Sequence, residues 1–309
     1  MILGIVEPDS FSPKAKANLE KYATVELYDE KTSLEQFISN KTVIFIRLRY
    51  YFNSQILQSA PNLKYICSPT TGLNHIDVNY CQSKGIEIIS LKGETDFLNT
   101  IRATPEHTLG LILALKRNYN FAFLKSDNSE WNRNPYRGYE IYGSKIGIVG
   151  FGRVGKILSS YLKNMGASVA FYDINKDIQE EGVHKFDSIE SLIDACETVV
   201  LCSSYTVEYG SIINEKEIDA LKNKYFINTA RAELTNEAYL SQRALEGHFK
   251  GIAIDVIQNE QSAQNNLKSW LEAADNYNVI VTPHIGGATY SSMNRTEEFI
   301  SDKLLMSFE

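Results

Sequence analysis

Three glycines at fixed spacing, Gly150-Phe151-Gly152-Arg153-Val154-Gly155, are the first residues whose type and order could do chemistry. Glycine permits a tight turn, lets backbone approach a ligand, and lets a helix pack closely on a strand. In that order, Gly150 makes the turn, Gly152 admits a pyrophosphate and Gly155 seats the helix. The apolar run 145–149 leads into the motif and the helix-forming run 154–164 leaves it. Free N–H groups and the positive end of a helix dipole would then face an anion. Asp173 follows Phe171-Tyr172 at the spacing of an acidic ribose ligand. Its carboxylate would accept from both ribose hydroxyls and repel a 2′-phosphate, so NAD is expected rather than NADP. Arg153 and Val154, inside the motif, belong to the same cofactor set.

Three later segments, 226–240, 251–260 and 279–289, each place a polar residue just beyond a predicted strand. Ligand groups gather at that edge of an open α/β sheet. Hydride transfer at a carbinol carbon needs a cation for a neighbouring carboxylate and an acid–base group for the hydroxyl. Arg231, Glu260 and His284 are the residues on offer.

Strands and helices must alternate to position these groups, and they do. Short apolar runs at 2–6, 25–28, 43–46, 65–67 and 86–89 read as five strands. Between them lie helical segments at 12–22, 33–39 and 53–59, each opened by a capping Ser or Asn. One long helix is expected from Asn99 to about residue 125, followed by an irregular polar and aromatic connection over 126–142. A second alternating unit supplies strands at 145–149, 168–172, 198–202, 225–228, 251–254 and 279–281, and an amphipathic helix closes the chain at 290–308. Strands separated by helices imply crossovers and a parallel sheet.

The 309 residues are enough for about two domains. A net charge of −7 gives no general attraction to nucleic acid or anionic lipid, so an anionic ligand would need local cations. The N-terminal segment turns polar after six residues and reads as a strand rather than a signal peptide. No apolar run is long enough to span a bilayer. Cys67, Cys81, Cys196 and Cys202 form no metal-ligand pattern and read as free thiols, which suits a cytoplasmic protein without a metal.

Many of these segments together resemble the D-isomer-specific 2-hydroxyacid dehydrogenases, in the manner of phosphoglycerate dehydrogenases without a regulatory domain. The likeness runs through TTGLNHIDV (71–78 and its preceding Thr70), TPEHTLGLILALKRN (104–118), GFGRVG, INTAR, DVIQNE and TPHIGG. It implies two doubly wound α/β domains: a flavodoxin-like substrate domain (1–98 plus 288–309) and a Rossmann NAD-binding domain (99–287), with a cleft between them. By the same resemblance, Arg231 clamps the substrate carboxylate and polarises the carbonyl, a task suited to a planar guanidinium fork. His284 donates and accepts the proton, and Glu260 orients it and favours its protonated form. Thr71 and Gly72 belong to a loop whose amides face the carboxylate. Asp255 matches an aspartate beside the nicotinamide, and Thr229 and Ala230 are taken with the cofactor set. The helix after residue 99 and the loop following it imply a homodimer. The partner is a small 2-hydroxy or 2-oxo acid, with no nucleic acid and no membrane.

The chain also departs from the family pattern. Ala232 replaces the glycine usual after the arginine, which would strain a positive φ. Gln261 replaces a proline, and LCSSYT (201–206) replaces a His-x-Pro wall. Arg47 and Arg49 follow the third strand, where an arginine binds the distal phosphate in the phosphoglycerate branch, so Arg47 is taken with the substrate set; a solvated charge at a strand end is the other reading. His75, His107, His184 and His248 are expected to be non-catalytic, the last two on the surface. The alternative from another class is an NAD(H)-sensing, corepressor-like regulator of the same fold. No effector domain is expected beyond the last helix.

Overall fold

The computed structural model describes residues 1–123 and 131–308. The chain divides into two compact units, Met1–Ile101 with Ala288–Glu309, and Arg102–Gly287.

In the first unit, strands β1 (Ile2–Ile5), β2 (Thr24–Leu27), β3 (Val43–Phe45), β4 (Tyr65–Ser68) and β5 (Glu87–Ser90) alternate with helices. The helices are α1 (Pro13–Leu19), α2 (Leu34–Ile38), α3 (Ser54–Leu57), α4 (Val78–Lys84) and α5 (Thr95–Leu98). Ser12, Ser33 and Asn53 cap α1, α2 and α3 by accepting from the amides of Ala15, Gln36 and Ile56, as short polar side chains do at helix starts. The strands form one parallel sheet in the order β2-β1-β3-β4-β5. That is the flavodoxin-like order.

The second unit opens with α6 (Ala103–Lys116) and α7 (Tyr119–Ala122). Then come β6 (Lys145–Val149), α8 (Arg153–Asn164), β7 (Ser168–Tyr172), β8 (His184–Lys185), α9 (Ile189–Ala195), β9 (Thr198–Leu201) and α10 (Glu215–Ala220). It continues through β10 (Tyr225–Asn228), α11 (Glu237–Leu245), β11 (Gly251–Ile254), α12 (Leu267–Asn276) and β12 (Val279–Val281). The last helix, α13 (Tyr290–Met306), belongs to the first unit, where Ile300 and Leu304 pack with Leu3, Ile5, Phe45 and Ile89.

The seven strands of the second unit are parallel in the order β12-β11-β10-β9-β6-β7-β8. Strand order reverses between β6 and β9, which is where a Rossmann sheet opens a crevice for a dinucleotide. The interior strands β9, β10 and β11 are buried along their whole length. Helices cover both faces of a parallel sheet, so such strands read as unbroken apolar runs.

The single long helix expected from Asn99 is instead two shorter ones, α6 and α7, preceded by the separate α5. Asn99 ends α5, Arg102 starts α6, and Asn118 takes a left-handed φ of 53° that breaks α6 from α7. The expected end of that helix, 124–125, and the start of the connection, 126–130, lie outside the described residues. The two-residue β8 has no apolar alternation of its own and was not expected. His248 is buried rather than on the surface, with Nε2 3.0 Å from the carbonyl oxygen of Ile218. His184 is exposed, as expected.

Candidate active site

The glycine turn links β6 to α8, and its three glycines differ in the space around them. Gly150 has φ +92°, and a Cβ there would lie 2.5 Å from the Ser203 amide nitrogen after β9. A side chain is excluded on both counts. A Cβ at Gly155 would lie 2.4 Å from the Gly150 carbonyl oxygen, so the helix can seat only on glycine. At Gly152 a Cβ would meet nothing within 4 Å, and no side chain caps the helix that this residue opens. The first N–H groups of α8 are left for an outside acceptor. Arg153 adds charge there: burial, then the neighbouring Arg102, pulls its guanidinium pKa down.

Asp173 lies beyond β7 and is only partly buried. Its Oδ2 accepts from the Phe151 amide at 2.7 Å and its Oδ1 from the Asn175 amide at 2.8 Å. The acid thus sits directly beside the glycine turn, with lone pairs left over for hydroxyl donors. These groups fit a dinucleotide: an uncapped helix start for the pyrophosphate and a carboxylate beside it for the ribose. Thr229 fits less well than expected. Its hydroxyl is 2.7 Å from that of Thr108 on α6, so it faces the interior. Ala230 is half-buried, and its amide is held by Asn228 Oδ1 at 3.0 Å.

The segments beyond β10, β11 and β12, three neighbouring strands, carry the proposed acid–base set. Arg231 is half-buried, and its fork donates to its neighbour's carbonyl, Ala230 O, at 2.7 Å. It forms no ion pair among the described residues, so the rest of the guanidinium can meet a carboxylate. Ala232 starts a short 3-10 turn and does not adopt a positive φ. The family's glycine is therefore not required here, and alanine costs no backbone strain.

Glu260 and His284 pair as expected: His284 Nδ1 lies 2.9 Å from the Glu260 carboxylate. Both are partly exposed, at 29% and 24% of the side chain. With Nδ1–H directed at Glu260, the Nε2 lone pair is left to take a proton. His284 has φ +53°, a conformation that costs a non-glycine residue about 1–3 kcal/mol unless its surroundings enforce it.

Asp255 enforces it. The carbonyl of Asp255 accepts from the His284 amide at 2.8 Å, Oδ1 from the Ile285 amide at 2.9 Å, and Oδ2 from the Gly286 amide at 2.9 Å. Three successive amides thus bind one residue. Gly286 makes this possible, because a Cβ there would sit 2.9 Å from Asp255 Oδ2. Thr282 Oγ1 donates to Oδ1 at 2.6 Å, and His107 Nε2 lies 3.3 Å from the same oxygen. Burial alone would raise the pKa of Asp255, but hydrogen bonds from His107, Thr282, Ile285 and Gly286 outweigh it and the net shift is downward. Both carboxylate oxygens are committed to this loop, so Asp255 is a clamp on the His284 turn before it is a cofactor ligand. Thr282 and His107 had no local signal for this role, since the clamp joins residues from α6, β11 and the segment after β12.

In the first unit, Thr71 is exposed and Gly72 half-buried in the loop after β4. Ser68 Oγ, 2.8 Å from Thr70 Oγ1 and 3.1 Å from His75 Nε2, holds that loop from below, and Thr70 donates to Gly72 O at 2.8 Å. The buried ring of His75, not only its backbone, supports the loop. Arg47 is neither a solvated charge nor an open cation. Its Nε and Nη2 donate to Glu297 Oε1, at 2.9 and 2.5 Å, and Nη1 donates to Asp9 O at 2.9 Å. The distal-phosphate role expected for Arg47 is set aside for that reason. Arg49 pairs with Asp9 and Glu30.

Similarity to known proteins agrees with this geometry. A family model described as D-isomer specific 2-hydroxyacid dehydrogenase, NAD binding domain, matches residues 109–286. The chain is 31% identical to a D-3-phosphoglycerate dehydrogenase of Haemophilus influenzae over 91% of this chain and 67% of that protein. It is 30% identical to a glyoxylate reductase of Thermofilum pendens over 91% of this chain and 83% of that protein. The solved D-lactate dehydrogenase of Aquifex aeolicus, complexed with NAD and lactic acid, shares the fold at TM-score 0.81 and 24% identity, covering 100% of this chain and 95% of that one. The family match spans the glycine turn, Asp173, Arg231, Glu260 and His284 and more than half of the chain, and the protein belongs to the D-isomer-specific 2-hydroxyacid dehydrogenase family.

Proposed function

We propose that this NAD-dependent dehydrogenase interconverts a small D-2-hydroxy acid and its 2-oxo acid through Arg231, Glu260 and His284. The observation that carries this reading is the 2.9 Å bond from His284 to Glu260, on the same sheet edge as an arginine with no acidic partner among the described residues. Bound NAD supplies the hydride acceptor for oxidation, and NADH the donor for reduction. Gly150, Gly152 and Gly155 with the start of α8 hold its pyrophosphate, and Asp173 its ribose.

Arg231 grips the substrate carboxylate with its fork and polarises the neighbouring carbonyl. In oxidation, His284 Nε2 takes the hydroxyl proton while Nδ1–H stays on Glu260, which stabilises the imidazolium formed. In reduction the same nitrogen returns the proton to the carbonyl oxygen. Asp255 keeps the imidazole aimed, so little reorganisation is needed during the reaction. Nothing in the similarities favours the regulatory, NAD-sensing alternative.

NADH consumption over glyoxylate, pyruvate, hydroxypyruvate and 3-phosphohydroxypyruvate tests the reading. Turnover of at least one acid is expected, with NADPH a poorer donor because of Asp173. No turnover of any would contradict it. We also propose a cytoplasmic homodimer. Exposed aromatics cluster in sequence on either side of residues 124–130, among them Phe121, Phe123, Trp131, Tyr139 and Tyr142, and apolar surface of that kind favours an interface. All four cysteines are free, as a reducing compartment would keep them. Light scattering at twice the chain mass is the expected result.

A further inference from the structure

Asp255 fixes His284, but the reaction also needs Glu260 in place, and a different buried acid holds its loop. Glu237, in the first turn of α11, is 3% exposed. Its Oε1 accepts from the indole N–H of Trp270 on α12 at 3.0 Å, and its Oε2 from the Gln258 amide at 2.5 Å. Trp270 is fully buried. Gln258 stands two residues before Glu260, and Asn259 between them has φ +55°. On the far side, Asn265 Nδ2 donates to Glu260 O at 3.2 Å.

We infer that Glu237 is a positioning residue for the reaction, setting the height of the loop that presents Glu260 to His284. The inference rests on the dyad reading above. Glu237 touches neither substrate nor cofactor. One of its carboxylate oxygens accepts from Trp270 and the other from Gln258, with the Asn266 side chain a further partner, so both oxygens are needed as acceptors. Anchored to a fully buried tryptophan, the carboxylate gives the left-handed turn at Asn259 a fixed point. Without it, the segment from Val256 to Glu260 has no side-chain anchor on the strand side among the hydrogen bonds described. Burying a carboxylate here is costly, and burial raises its pKa while the bonds from Trp270, Gln258 and Asn266 oppose that rise. An apolar residue would fill the same volume at less cost. Its place is explained by the loop it holds.

Glu237→Gln is nearly isosteric but turns an NH2 group toward one of the two donors, which frees either Trp270 or Gln258. The test is a double-mutant cycle with Glu260→Gln, reading kcat for reduction of the best 2-oxo acid, NADH affinity by fluorescence, and Tm. Each single variant is expected to lower kcat by about tenfold or more, as loss of a histidine-orienting acid does. NADH affinity should stay within about twofold. The double variant should be no slower than Glu260→Gln alone, because contacts that act through one another are not additive. Multiplying losses, or a Glu237→Gln enzyme with wild-type kcat, would overturn the inference and leave the dyad reading intact. If Glu260→Gln itself kept wild-type kcat, the dyad reading would fail and this inference with it. Should Glu237→Gln not fold, Trp270→Phe removes one of the two donors: a lowered kcat absent from the Glu260→Gln background supports the role, and an unchanged kcat overturns it.

Discussion

Arg231 and Arg47 occupy equivalent places in two parallel sheets. Each follows a strand at its C-terminal end, where ligands gather in α/β folds. In the seven-stranded sheet, the Arg231 fork donates to the carbonyl of Ala230 and pairs with no acid among the described residues. In the five-stranded sheet, Arg47 is closed onto Glu297, whose side chain is wholly buried. Burial raises the pKa of Glu297, and Arg47 and the Ser12 amide pull it back. One guanidinium keeps donors that the proposed function assigns to a substrate carboxylate, and the other ties α13 to the loop after β3. Residue type and strand position alone do not distinguish them; the acid that reaches each does.

The comparison can be broken by paired substitutions, beginning with the largest effect. Arg231→Ala should lower kcat/KM by about a hundredfold or more, since two charge-assisted bonds contribute roughly 1.5–3 kcal/mol each. Its stability should change by less than about 1 kcal/mol, because no buried acid is orphaned. Arg47→Ala should do the reverse. Removing one partner of a buried pair costs about 3–5 kcal/mol, so a large fall in Tm is expected. If Arg47→Ala instead kept its Tm and raised KM, Arg47 would be a substrate cation and the contrast would fail.

The glycine turn offers a similar dissociation of smaller size. Gly155→Ala places a Cβ against the Gly150 carbonyl, so both Tm and NADH affinity should fall. Gly152→Ala meets open space, so Tm should hold while NADH affinity drops. Equal Tm losses in the two variants would show that the turn is merely tight rather than open to a ligand. The smallest effect belongs to Arg49→Ala. Its partners are exposed, and surface pairs contribute about 0–1 kcal/mol. Neither Tm by thermal unfolding nor kcat/KM for the preferred 2-oxo acid should move measurably.

These regions also differ in how much the sequence disclosed. The motif from Gly150 to Gly155, with Asp173, was legible because turn, helix start and acid are close in the chain and each residue type has one good use there. Most strands were legible for the same reason, since buried parallel strands are short apolar runs with clear ends. The Glu260–His284 pair was reachable through the family resemblance. What stayed hidden depends on contacts between distant segments. Arg47 and Glu297 are 250 residues apart, and no local pattern announces their pairing. The Asp255 clamp joins α6, the end of β11 and the loop after β12, so the hold of this aspartate on the histidine turn had no local signal. The broken helix after residue 99 turned on one left-handed asparagine, a conformation that composition does not reveal.

His284 is the residue on which the proposed function converges: its Nδ1 pairs with Glu260, Asp255 holds its backbone, and Nε2 is the nitrogen assigned to the proton that must move. The most direct test is His284→Ala, assayed for reduction of the preferred 2-oxo acid alongside fluorescence titration with NADH. The account predicts that kcat falls by about 10²–10⁴ while NADH still binds. Turnover near the wild-type rate would contradict it.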